Sequence, residues 1–316
     1  MQRYALVIGL LILAAVAPTV IYPIFLMKAL CFSLFALAFN LLVGYVGLLS
    51  FGHAMFFGAA AYITAHTVKV LGWPTELGIL AGTGVATLLG VVVGAIAIRR
   101  QGIYFAMITL ALSYLLYFYA VEAKFTGGED GIQAVPRRAL FGVIDITNDY
   151  TFYIVVLAIF LFGFWVIYRT THSPFGQVLK AIRENEPRAI SLGYNVERYK
   201  LLAFVLSAAL AGLAGSTKAI VFQLASLTDV EWQASGEVVL MTLVGGLGTV
   251  FGPIVGAVVV ETMQTYLSQY AGEWVQVIQG VIFVIVVLLF RRGIVGELLA
   301  YWHRRKNAAA ATQPAE

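Results

Sequence analysis

Charge is what this chain of 316 residues has least of. Asp, Glu, Lys and Arg make up 11% of it, against about 25% in an ordinary soluble domain, while hydrophobic residues reach 61% and mean hydropathy is +0.90. So few charges cannot cover a water-soluble fold. Cysteine is almost absent too: Cys31 stands alone inside an apolar run, which excludes a disulfide within the chain and a cysteine-based metal cluster. The apolar runs are continuous and lack the alternation of apolar and polar residues that barrel strands carry. A phosphate-binding G-x-x-x-x-G-K-[ST] loop is missing; Gly212-Leu213-Ala214-Gly215-Ser216-Thr217-Lys218 has the wrong spacing and lies in an apolar run. No paired carboxylates, metal ligands or activated nucleophile form a catalytic constellation, which argues against a membrane-bound enzyme.

What is there reads as an all-α, polytopic integral membrane protein. A helix satisfies its backbone internally and needs about 20 apolar residues to cross about 30 Å of hydrocarbon. About ten apolar runs fit, at 5–22, 24–43, 45–70, 78–98, 103–121, 151–168, 201–221, 237–248, 251–267 and 274–290. Some are short or broken, so the expected count is 8 to 10 membrane helices. The first run follows Arg3 and carries Ala15-Val16-Ala17, as a signal peptide would, but Pro18 opposes cleavage and favours a retained first helix. With both termini cytoplasmic, fourteen Lys and Arg fall inside and six outside, the bias that orients such proteins. Residues 1–306 are then one membrane domain, and the Ala-rich tail 307–316 is expected to be disordered.

Two polar loops stand out. Residues 122–150 would be external. Their turn-forming Thr126, Gly127, Gly128 and Asp130 read either as a plain surface loop or as a contact for an extracytoplasmic partner. Residues 169–200 would be internal, with six bases and three acids between apolar runs. Ser173-Pro174 starts a helix there, with a hydroxyl cap and a proline that misses no N–H. Phe175, Val178, Leu179 and Ile182 form one apolar stripe, and Pro187 and Gly193 punctuate the rest of the loop. The exposed side would offer Arg183, Glu184, Asn185, Glu186 and Arg188. Lipid headgroups would need only the bases, so the interspersed glutamates favour a docking surface for a soluble protein.

Two glycine-interrupted segments, 44–58 and 245–256, fall in opposite halves of the chain. Breaks of this kind point to the binding or conduction region of a transporter, and tight helix packing is the plainer alternative. Candidate path or interface residues are Asn40, Ser50, His53, Thr109, Gly246 and Gly248, with His53 foremost because polar groups within a membrane are expensive. Ser113 is a lesser candidate. His53 has no companions at ligand spacing, so no metal site is expected. Glu261, well inside a predicted helix, is expected to pair with another chain or to lie near the membrane surface. Arg99-Arg100 reads as a helix-end anchor.

The segment 173–193, with Glu186, Ala189 and Gly193 in a loose E-x-x-A-x-x-x-G arrangement, resembles the coupling loop of bacterial ABC importer permeases. The chain as a whole is similar to the LivM-type branch of the high-affinity branched-chain amino acid permease family. The likeness rests on Asn40-Leu41-Leu42-x-Gly44-x-x-Gly47-x-Leu49-Ser50-x-Gly52-His53, on Gly102-Ile103-Tyr104-Phe105-Ala106-Met107 and on Thr126-Gly127-Gly128-x-Asp130-Gly131. Tyr199-Lys200-Leu201-Leu202-Ala203-Phe204 and Gly245-Gly246-x-Gly248-x-x-x-Gly252-Pro253 extend it over nearly the whole chain. Pro187-Arg188 departs from the small apolar residues usual there.

The resemblance implies an inner-membrane permease that pairs with a second, homologous permease subunit. It also implies two cytoplasmic ATP-binding subunits, which hold ATP and Mg and do the hydrolysis, and a periplasmic solute-binding protein. Coupling contacts would come from Ser173, Pro174, Gly176, Arg183, Glu184, Asn185, Glu186, Arg188, Ala189 and Gly193. Membrane lipid is the remaining partner; no cofactor in this chain and no nucleic acid are implied. Urea or short amides are the alternative cargo, and an ATP-independent secondary transporter the alternative class. If the binding protein supplies selectivity, no sharp substrate motif is expected here.

Overall fold

The structure, a computed structural model, describes residues 17–19, 21–142, 144–289 and 293–297. The first apolar run up to residue 16, the 307–316 tail, and Arg3, Arg291, Arg292, Arg304, Arg305 and Lys306 lie outside the described residues. The helices are α1 (Pro23–Asn40), α2 (His53–Lys69), α3 (Thr75–Ala97), α4 (Ile103–Glu122), α5 (Asp149–Thr171) and α6 (Pro174–Glu184). They continue as α7 (Glu186–Ser191), α8 (Val196–Phe222), α9 (Trp232–Gly245), α10 (Gly252–Ala271) and α11 (Val275–Leu289). A π-helical turn, Leu41–Val46, prolongs α1. The chain is an all-α, multi-pass membrane protein.

Among the described residues, five helices are long and apolar enough to cross a membrane alone. They divide by burial. The spans on α1 and α8 are 83% and 78% buried, whereas those on α3, α4 and α5 are 33%, 28% and 39% buried. The first two are therefore the interior pillars, and the other three turn apolar side chains such as Leu88, Leu115 and Phe162 outward. Lipid is as apolar as leucine, so helices associate here by close packing rather than by escape from water. α8 is built for that, with Ala203, Ala208, Ala211, Gly212, Ala214 and Gly215 along its buried sides. A Cβ at Gly215 would overlap the Phe57 carbonyl oxygen, so only glycine admits the crossing of α2 over α8. α8 packs on α3, α2 and α1, while α1 also carries α5, α9 and α10.

At one end of the bundle Arg99 lies beside Glu197 and Arg198, next to the 173–195 hairpin. At the other end, residues 122–150 fold as a cap. Arg137 donates to Asp149 at 2.7 Å and to the Val221 carbonyl at 2.7 Å, Arg138 donates to the Gly72 carbonyl, and Lys69 donates to that of Gln133. A bridge between Ile132 and Ala225 joins the cap to the segment after α8.

Candidate functional site

The hairpin is held in place at each turn by its own sequence. Ser173 caps α6, accepting from the Gly176 N–H at 3.4 Å, and donates to the Thr170 carbonyl at 2.7 Å. Pro174 begins the helix, and Gly176 sits where a Cβ would stand 2.5 Å from the Thr170 and Thr171 carbonyl oxygens. Leu179 and Ile182 are buried, and Phe175 stacks on Tyr199 of α8. Asn185 ends α6 and caps α7, accepting from the Arg188 N–H at 3.0 Å. Ala189 is buried against Ile182 and Val196, and Gly193, with a φ of +87°, closes α7.

Two residues expected on the exposed face also reach back into the bundle. Glu186 accepts from Lys200 of α8 at 2.7 Å, which ties the elbow to an interior pillar. Arg183 keeps an exposed flank, but its guanidinium donates to the Gly44 carbonyl. Lys180 lies 5.6 Å from the centre of the Tyr45 ring. The face left open carries Glu184, Asn185 and Arg188, joined by Ile190, Leu192 and Tyr194.

The Arg183 contact leads to the centre of the site, because Gly44 is where the two glycine-broken segments meet. Asn40 is the connector. Its Nδ2 donates to the Thr249 carbonyl and its Oδ1 accepts from the Gly248 N–H, both at 2.9 Å. Both ends of one buried amide are satisfied across more than 200 residues of sequence, by the turn between α9 and α10. A Cβ at Gly44 would stand 2.7 Å from the Gly248 nitrogen. The left-handed Gly47, φ +82°, ends the π-helical turn, and the Arg183 Cγ would lie 3.1 Å from a Cβ there. Gly246 and Gly248 have φ of +119° and +73°, and Thr249 fastens this turn through the Gly246 carbonyl and the Gly252 N–H. Hairpin, π-helical turn and α9–α10 turn thus form one hydrogen-bonded junction.

His53 proves to be an internal clamp. It is fully buried, edge-on to Phe39, Phe56 and Phe204, and its Nε2 lies 2.7 Å from the Ser207 Oγ. Ser207 donates its hydroxyl proton to the Ala38 carbonyl at 2.5 Å, so the ring must donate from Nε2. Within the chain these contacts join α1, α2 and α8. Ser50 accepts from the Gly52 N–H, and Thr109 bonds back to Ala106 of its own helix; both are buried. Ser113 is buried on α4. In the cap, Thr126 is buried and donates to the Ala120 and Ala123 carbonyls, so it fastens the end of α4. Gly127 and Gly128 both take positive φ in the turn, and Asp130 is exposed.

Of the two readings of Glu261, the need for a partner from another chain does not hold. Glu261 pairs within the chain, 2.7 Å from Lys28 of α1. Lys218 is likewise buried, held by both Asp229 oxygens at 2.7 Å. The available signal was a charge inside an apolar run, which calls for a partner. Among the described residues, no three His, Cys, Asp or Glu side chains gather as metal ligands.

An all-α bundle with two buried pillars, broken helices meeting at one end and a capped polar hairpin beneath them defines a multi-pass membrane permease. Residues 21–287 match the family model of the branched-chain amino acid transport system permease component, and the chain belongs to that family. It is 29% identical over 283 residues to the high-affinity branched-chain amino acid transport system permease protein LivM of Salmonella typhimurium. That match covers 82% of this chain and 66% of the relative. LivM of Escherichia coli is 28% identical over the same shares of each chain. The permease protein LivH of the same organism is 22% identical over 84% of this chain and 91% of its own length. The alignments to the two LivM proteins thus span just under two thirds of those relatives. No solved structure matches.

Proposed function

We propose that this chain is the non-hydrolytic permease subunit of an ATP-driven, binding-protein-dependent ABC importer for branched-chain or related aliphatic amino acids in a bacterial inner membrane. A second, homologous permease completes the pore, and both termini lie in the cytoplasm. Two ATP-binding subunits dock on the coupling hairpins of the two permeases, here on Glu184, Asn185, Arg188 and the apolar Ile190 and Leu192, supplying ATP and Mg from their own sites. A solute-binding protein docks at the opposite end, where Asp130 is exposed. The supporting observation is the chain of contacts from Arg183 through Gly44 and Asn40 to Gly248 and Thr249. Movement of a docked ATPase pushes α6, and α6 is bonded to the place where two broken helices meet. Force applied there tilts α1 against α9 and α10, while the Glu186–Lys200 pair carries it into α8.

The test is co-purification followed by reconstitution. The complex should contain two ATP-binding subunits and a second permease, and should take up leucine only with ATP and the solute-binding protein. Leucine uptake by this chain alone, driven by an ion gradient, would refute the reading. Uptake of urea in place of leucine would keep the machine and change its cargo.

A further inference from the structure

Away from the hairpin, α1, α9 and α10 bring acid and base together among apolar side chains. Lys28 of α1 lies 2.7 Å from Glu261 of α10, whose side chain is fully buried, and the Glu261 Oε1 makes no hydrogen bond. Glu237 of α9 is within electrostatic reach of both. Among the described residues, the hydrogen bond to its side chain comes from the Gln264 Nε2, donating to Oε1 at 3.3 Å. Lys218 cannot serve Glu237, because both Asp229 oxygens hold it.

The cluster therefore sets two carboxylates against one lysine. An excess carboxylate within a membrane is expensive unless a cation meets it, which makes such a group a site by default. The Lys28 side chain is 26% exposed and Glu237 is half-buried, so the cluster is open on one side. A zwitterion matches it from that side. Its ammonium supplies the missing cation to the half-buried Glu237, and its carboxylate lies against Lys28, which the buried Glu261 holds in place. An aliphatic side chain would then rest on the apolar surfaces around it.

We propose that Lys28, Glu237 and Glu261 form a way station for the charged head of the transported amino acid. The proposal deepens the amino-acid reading above and rests on it. Selectivity would then have a component inside the membrane, since urea and short amides carry no charge and gain nothing here. A lysine or arginine of the second permease would offer the same cationic chemistry, and the experiment separates the two sources.

The complete transporter, reconstituted with its partners, is assayed with radiolabelled leucine for Glu237→Gln, Glu237→Asp and the double variant Lys28→Met/Glu261→Gln. Loss of one charge-assisted contact should lower Glu237→Gln uptake at least about tenfold. Glu237→Asp should recover much of it, and co-purification of the second permease should be unchanged. The double variant, which removes a neighbouring acid and base together, should also lose uptake. Glu237→Gln uptake within about twofold of wild type, as for an indifferent surface change, overturns the proposal. Loss of the second permease from the Glu237→Gln complex also overturns it, assigning the cation to that subunit. A wild-type complex that moves acetamide and not leucine removes the amino-acid reading itself, a failure distinct from the other two.

Discussion

Replacing Arg183 with alanine isolates the link between the hairpin and the broken helices. The guanidinium donates to the Gly44 carbonyl, and the stem of the side chain packs beside Gly47. A hydrogen bond to a charged group contributes about 1.5–3 kcal/mol. Arg183 has an exposed flank, so screening by water brings the expected loss to about 1–2 kcal/mol. That corresponds to about a five- to thirtyfold change in the equilibrium joining hairpin movement to helix movement. The residue lies behind the open docking face, so ATPase assembly and basal hydrolysis should persist while leucine imported per ATP falls. The assay is paired measurement of phosphate release and leucine uptake in proteoliposomes. Arg183→Lys retains the charge but not the guanidinium fork, and should recover only part of the yield. An Arg183→Ala complex with unchanged uptake per ATP would refute the reasoning. So would one that loses its ATP-binding subunits, because Arg183 would then be a docking residue.

Other expectations concern close contacts and buried polar groups. Gly44→Ala sets a methyl group against the Gly248 nitrogen and the Asn40 amide, and should lower the melting temperature by an overpacking cost of about 1–3 kcal/mol. His53→Ala removes the Ser207 bond and empties a site between three phenylalanine rings, costing about 3 kcal/mol in thermal unfolding. Transport by whatever folded His53→Ala protein remains should keep its substrate preference, and a change of preference would place His53 on the path. Lys218→Met leaves Asp229 buried without its cation and should destabilise by about 3–5 kcal/mol, most of which Lys218→Met/Asp229→Asn should restore.

How much was legible in advance varies by element. The start and the closing turn of the hairpin were readable, because Ser173, Pro174 and Gly193 act on backbone within a few positions of themselves. The two glycine-broken segments were visible as breaks, but their meeting was not. Asn40 and Gly248 are joined by a side-chain amide whose partner cannot be found from local pattern. The directions of Arg183 and Glu186 escaped for the same reason, since an amphipathic stripe says which side of a helix is apolar and not where a long side chain can reach. The partner of His53 was not legible either, because a polar residue in an apolar run signals cost without naming what offsets it; here Ser207, over 150 residues away, does so.

By itself, then, the sequence determined the solvent, the class and the local turns. Eleven per cent charge and continuous apolar runs can be accommodated only where helices close their own hydrogen bonds. The tertiary structure alone decided which helices are pillars and which polar groups face each other. In hydrocarbon those choices depend on close approach and on pairing between distant residues, as at Gly215 beneath Phe57 and at Lys28 beside Glu261, and neither is written in any local pattern.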